Sequence, residues 1–217
     1  MNIFVTSSDP VLSAMALDDI RVNKMIIESC QMLMTALTMN GVPQHTLPNT
    51  KKGVPFKPGW QHHPCTKWAS RSSANYIWLL EHLKALLAEY NYRSGKKHSF
   101  EAYVSFLESN ASNVKHGDLE PFQNSSKFPH VFNTEHAYKE TMNDKWRLDK
   151  IKVKWTKRVP PSWIWTIKTI KIGEVYYRID DKVKKQMGSI AGILSFLPTP
   201  FRQYELFKLL LFSLPKL

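Results

Sequence analysis

Residues 19–39 read DIRVNKMIIESCQMLMTALTM, and the reading of this stretch decides the fold. Met25, Ile26, Ile27, Cys30, Met32, Leu33, Met34 and Leu37 spread around most of a helical circumference. A helix that is apolar on nearly every side is mostly buried. Asp18 or Asp19 serves as N-cap, and Asn40-Gly41 supplies the stop. Arg21, Lys24, Glu28 and Thr35 fall together on one side at 100° per residue. A narrow polar stripe on such a helix faces either a cleft or water. One reading is a Lys24–Glu28 ion pair one turn apart. The other is a carboxylate poised by cations, suited to general-base work or to stabilising a developing positive charge.

A second helix is predicted from about Thr66 to Tyr92, ending near RSGKK. It opens within HHPCTKWASRSSANYIWLLEHL, residues 62–83. Arg71, Asn75, Trp78, His82 and Glu89 share one stripe beside an apolar face of leucines. Arg and Asn can fork onto phosphates and base edges, and Trp offers a stacking plane. The competing reading is the border of an amphipathic helix. The HHPC sequence lacks a second ligand cluster at recognisable spacing, so no metal is expected. His62 and His63 read as donors at the rim of a cleft or as capping contacts. Cys65 reads as a small buried thiol before a helix.

Between these helices, residues 41–66 hold many prolines and glycines and read as an ordered loop or short hairpin. NIFV near the start reads as a short strand and SSDP as a turn. SFEAYVSFLES reads as a shorter helix capped by Ser99, and TEHAYKETMNDKWRLDKIKVKW as a fourth long helix. Residues 110–134 read as a long surface loop, of the kind that is usually functional or mobile. TIKIGEVYYRI resembles a hairpin turning at Gly173-Glu174, and an apolar helix is expected at 201–213. The fold expectation is mainly α: a compact helical bundle with a short N-terminal strand and a candidate C-terminal hairpin. Residues 1–160 would form a nucleic-acid-acting domain and 161–217 an extension.

The 217 residues carry a formal net charge of +12, and the sequence pI is 9.6. Such basicity favours polyanionic partners, nucleic acid first. Two cysteines outside any CxxC pair exclude a disulfide framework and suggest a reducing compartment. The N-terminus lacks signal-peptide features, and no apolar run is long enough to span a membrane. A cytoplasmic monomer is expected, with no membrane partner and no cofactor. The segment Lys145–Lys171 holds nine Lys/Arg against one acidic residue, together with four of the seven tryptophans. Lys154, Trp155, Lys157 and Arg158 are its candidate contacts to phosphates and bases. The alternative is a solvated basic face with the tryptophans turned inward.

The layout of these residues resembles the pyrimidine-dimer DNA glycosylases of the phage endonuclease V type. In that family a first long helix carries an acidic residue nine positions before the catalytic glutamate, as Asp19 and Glu28 do here. A histidine-bearing segment then leads into a second long helix, and a late aromatic and basic stretch follows. The chain is also similar to phage proteins that share a D-x-H-x-x-K-M-x-x-E helix and an H-P-C-x-x-W-x-R segment, with Arg21 at the histidine position of that helix. The similarity covers about residues 1–155. It implies attack of an amine on the sugar C1′ carbon, formation of a Schiff base and strand breakage at the abasic site. The family's amine is the free N-terminal α-amino group after removal of the initiator methionine, which here would place it on Asn2. Asn at position 2 is a poor substrate for that removal, so either Met1 is retained and its own amine is displaced, or a lysine such as Lys24 acts, or this member does not cleave. Carry-over gives Glu28 the glutamate's role and lets Arg21 and Lys24 hold phosphate.

Three classes follow. The first is a base-excision enzyme on DNA, duplex in preference to single strand. The second is a nucleic-acid-binding protein without catalysis. The third is an enzyme acting on free nucleotides or other small phosphorylated substrates, which would need an enclosed pocket.

Overall fold

The structure is a computed structural model, and it describes residues 1–151 and 153–164 together with the paired strands 168–172 and 175–179. The chain divides into two compact units, Met1–Ile164 and Trp165–Leu217. The first is mainly helical: α1 Pro10–Ala16, α2 Asp19–Met39, α3 Pro64–Arg71, α4 Ser73–Ser94, α5 Val104–Ser109 and α6 Thr134–Leu148.

Local chemistry sets most helix ends. Asp9 caps α1, its carboxylate accepting from Val11 N at 2.7 Å and Leu12 N at 3.2 Å, with Pro10 at the first turn where its missing N–H costs nothing. Asp18 caps α2, accepting from Ile20 N and Arg21 N. The helix stops at Asn40, and Gly41 follows at φ +91°. Each such cap stabilises its helix by about 1 kcal/mol. The centre of α2 is buried through Val22, Met25, Ile26, Cys30, Met32, Leu33, Met34 and Leu37. It packs against α3 and α4, while α1 packs against α4.

Several expectations are corrected. NIFV is not a strand. Asn2 Oδ1 accepts from Ile3 N at 2.8 Å and Phe4 N at 3.3 Å, and Phe4 turns into the left-handed region at φ 45°. A side chain that captures its own following backbone amides leaves none for a ladder. The predicted turn after it begins α1. The second predicted helix is two helices, broken at Ser72, whose backbone is extended. Its hydroxyl caps α4 by accepting from Asn75 N. The unsatisfied amides of Ser73 and Ala74 donate to Lys115 O and Gly117 O of the long loop. In the SFEAYVSFLES segment the cap is His98, not Ser99, and a 3-10 turn Ser99–Tyr103 precedes α5. The fourth helix ends at Leu148, short of the predicted Trp155, because Asp149 adopts an extended conformation.

Residues 153–158 instead lie against the start of α2. Asp19 N donates to Lys154 O at 3.0 Å. The Asp19 carboxylate accepts from Thr156 N at 3.0 Å and Thr156 Oγ1 at 2.6 Å. Asp18 accepts from the Trp146 indole at 2.7 Å. In the second unit, β1 Lys168–Ile172 and β2 Val175–Ile179 pair antiparallel with Ile172 opposite Val175, as the hairpin reading expects. Gly173-Glu174 and the expected helix at 201–213 lie outside the described residues.

Candidate active site

Glu28 sits on the third turn of α2, and its side chain is only 16% exposed. Asn2 N donates to Glu28 Oε2 at 2.9 Å. The α-amino nitrogen of Met1 lies 3.7 Å from the same oxygen, and Lys24 Nζ lies 3.6 Å from Oε1. The carboxylate therefore faces the N-terminal nitrogens on one side and a solvent-exposed ammonium on the other. The three sequence-predicted catalytic residues, Asn2, Lys24 and Glu28, thus come together although 22 to 26 positions separate Asn2 from the helix pair.

What brings the N-terminus here is a set of local anchors. Besides its turn over Phe4, Asn2 donates from Nδ2 to Ser125 O at 3.2 Å. Phe4 is buried and meets the Tyr138 ring edge-on at 6.0 Å. Tyr138 in turn accepts from Ser125 N and donates to Gln123 O. The Met1 side chain is buried at 3% exposure, with its sulfur 4.0 Å from the Thr66 hydroxyl at the start of α3.

Cations line the rim. Lys145 stands over the Phe4 ring at 5.7 Å. Burial pushes its ammonium below the usual lysine range, and the fields of Arg21, Lys127 and Lys24 push the same way. Asp149 opposes them, and an anion placed beside Lys145 would act in the same sense by offsetting the neighbouring positive charge. Lys127 was not singled out from the sequence; its only signal was the long polar loop that carries it. His63 caps α3, its Nδ1 accepting from Cys65 N at 3.2 Å. Burial lowers its pKa, as does the positive N-terminus, while Glu28 opposes both. His63 is therefore neutral at pH 7 and electrostatically part of the site. Burial pushes the Cys65 thiol up, so it is not a thiolate nucleophile. His62 is exposed beside Gln61.

The remaining predicted contacts lie elsewhere. Arg21 bridges Asp18 and Asp149 at 2.9 and 2.7 Å, so its guanidinium is committed to holding residues 146–149 rather than free for phosphate. Arg71 is exposed but paired with Glu120 at 2.7 Å. Asn75 is fully buried, donating to Trp68 O at 2.8 Å and accepting from Glu120 N at 2.9 Å. Trp78 is buried, its indole donating to Ser8 O at 2.6 Å. His82 shares the pattern, 2.9 Å from Pro10 O, and Arg93 donates to Met15 O and Leu17 O. The polar stripe of α4 is thus the seam on which the backbone of residues 8–17 docks, and Asn75 and Trp78 do not share a cleft with Glu28.

The basic aromatic segment follows the inward alternative. Trp155 is buried and donates to Ala16 O at 3.1 Å, with its ring 5.0 Å from that of Trp146. Arg158 pairs with Glu89 at 2.6 Å. Lys157 donates to Tyr92 O at 2.8 Å. Lys154 remains exposed. Among the described residues, no group of three His, Cys, Asp or Glu side chains is placed to hold a metal ion, and no helix is long and apolar enough to cross a membrane.

No curated protein and no solved structure gives a significant match to the chain. The model of the family described as pyrimidine dimer DNA glycosylase matches residues 1–101, the stretch that supplies the N-terminal nitrogens, Lys24, Glu28 and His63, and over that stretch the chain is similar to that family.

Proposed function

We propose that the chain is a base-excision enzyme on DNA, a glycosylase and abasic-site lyase for damaged or modified pyrimidines that works through an amine. The observation that carries this reading is the N-terminal backbone at Glu28, with Asn2 N at 2.9 Å and the Met1 amine at 3.7 Å. The similarity over residues 1–101 to pyrimidine dimer DNA glycosylases supports the same class. The neutral amine attacks C1′, the C1′–N bond breaks, and its electron pair leaves with the base. Opening of the sugar ring then gives a C1′ iminium. Removal of a C2′ proton and departure of the 3′ phosphate break the strand. Glu28 takes the proton the amine sheds and offsets the positive charge at C1′. Lys24, Lys127 and Lys145 hold the flanking phosphates.

If Met1 is removed, the nitrogen already hydrogen-bonded to Glu28 becomes the amine, and the space filled by the Met1 side chain opens to the sugar. If Met1 stays, its own amine acts. The cationic rim favours DNA over a free nucleotide, which would require an enclosed pocket.

Borohydride reduction of the protein on abasic-site duplex, followed by mass spectrometry of the adduct, tests this. The expected adduct lies on the N-terminal peptide, and its mass states whether Met1 is present. An adduct on the Lys24 peptide would move the nucleophile. Absence of any adduct while the duplex is bound would leave a binding protein without this chemistry.

A further inference from the structure

Trp60 differs from every other described tryptophan. Trp68, Trp78, Trp146 and Trp155 are buried and Trp163 is half-buried, whereas Trp60 is 63% exposed. Its backbone is in the left-handed region at φ 62°, where a bulky side chain is rare and strained. The strain is held by the loop around it. Gly59 N donates to Thr35 Oγ1 at 3.1 Å, and Thr35 Oγ1 donates back to Gly59 O at 3.0 Å. A Cβ at Gly59 would come within 2.8 Å of Gln31 Nε2, so only glycine lets the loop lie this close to α2 with Gln31 where it is. On the other side, His63 N donates to Trp60 O at 2.9 Å. A large aromatic ring is thus presented to solvent on a pinned support, three residues before His63, the histidine that feels the charges of the N-terminus and Glu28.

The anchor also sets where along α2, relative to Glu28, the loop that carries the ring is held. Glu28, Gln31 and Thr35 form one stripe of α2. At about 1.5 Å per residue, the Gly59 anchor sits about 4.5 to 10.5 Å along the axis from Glu28. A DNA strand advances about 3.4 Å per nucleotide, so that span is about one to three nucleotides. The surroundings suit a polyanion: residues 29–80 contain five Lys/Arg and no Asp or Glu.

Resting on the proposed DNA reading, we infer that Trp60 is a base-stacking platform, which takes a nucleobase one to three nucleotides from the sugar held at Glu28. Stacking on it compensates the bases that lose a neighbour when the target leaves the helix.

The test uses the full chain and a duplex with a tetrahydrofuran abasic-site analogue, carrying 2-aminopurine one, two, three or five nucleotides away on either strand. Trp60→Gly removes the ring while keeping the left-handed backbone at no steric cost, and equal or higher melting temperature checks that the loop is intact. The parent should quench the 2-aminopurine within three nucleotides on one strand and not at five. Trp60→Gly should lose that quenching and bind about 5- to 150-fold more weakly, the range that loss of one base–aromatic stack gives. Trp60→Phe should restore most of both. The salt slope should not change, because no charge is removed. Binding within two-fold of the parent, or a changed salt slope with intact quenching, would overturn the platform. A parent that binds and traps abasic DNA alongside an unaffected Trp60→Gly variant would sink this inference alone; a parent that does not bind the duplex would sink it together with the proposed function.

Discussion

Replacing Glu28 by Gln separates chemistry from structure because the two readings predict opposite magnitudes. Gln keeps the size, the helix propensity and an oxygen that can still accept from Asn2 N at the position of the 2.9 Å bond. What it loses is charge. The partners affected are the Met1 amine at 3.7 Å and the exposed Lys24 ammonium at 3.6 Å, both loose contacts. Stability should therefore fall by about 1 kcal/mol or less, which for a chain of this size is about 2–4 °C in melting temperature. Loss of an acid–base group poised at the reacting carbon, by contrast, costs about 10²–10⁴-fold in rate. Binding should hold or tighten. A unit charge about 7 Å from a phosphate contributes about 0.6 kcal/mol in water, so removing that repulsion raises affinity up to about three-fold. The assay is single-turnover cleavage and borohydride trapping on abasic duplex, with Kd and melting temperature measured on the same samples. A variant that cleaves within three-fold of the parent would refute the catalytic assignment. So would a melting temperature drop above 10 °C with proportionate loss of binding, which would make Glu28 a structural partner.

Other outcomes follow from the same geometry. His82 is fully buried, and burial pushes its pKa down to about 4, so the unfolded chain takes up its proton first. Stability from this group is fully present above about pH 6.5 and is lost as pH falls toward 4, by about 2–3 kcal/mol; urea unfolding at pH 7 and 4.5 should show that loss in the parent and a smaller one in His82→Gln. Asn75→Ala leaves Trp68 O and Glu120 N without their buried partner and should cost about 2–4 kcal/mol in denaturant unfolding, with specific activity of the folded fraction unchanged. Lys127→Ala should reduce the slope of log K against log salt by about 1, whereas Arg158→Ala, whose charge is spent on Glu89, should lower melting temperature and leave that slope nearly the same.

How much was legible depended on whether the deciding contact was local. The limits of α2 agree with the sequence reading from Asp19 to Met39 because the Asp18 cap and the Asn40-Gly41 stop act within their own turns. The break at Ser72 was hidden because the amides it exposes are satisfied by residues 115–117, more than 40 positions away. The α4 stripe misled for a related reason. A polar row beside leucines looks the same whether it awaits a ligand or, as with Trp78 and Ser8, His82 and Pro10, Arg93 and Leu17, it receives the chain's own backbone. The Lys24–Glu28 pair was visible from spacing. That the N-terminus closes over it depends on Asn2 reaching Ser125 and Phe4 reaching Tyr138, contacts without sequence periodicity. Trp60 gave no signal, since exposure and a positive φ are properties of the folded loop alone.

The paired aspartates at the start of α2 have a kinetic consequence. Asp18 receives the Trp146 indole and Asp19 receives Thr156, contacts that close loops of 128 and 137 residues. Closing a loop of about 130 residues rather than about 10 costs roughly 2 kcal/mol more chain entropy. That cost leads us to expect these contacts to form after α1–α4 have assembled, with residues 146–151 and 153–158 acting as a clasp on the start of α2. The clasp should also be the first large unit to open. In native-state hydrogen exchange the indole N–H groups of Trp146 and Trp155 should exchange together, through one sub-global opening, ahead of the amides in the centre of α2.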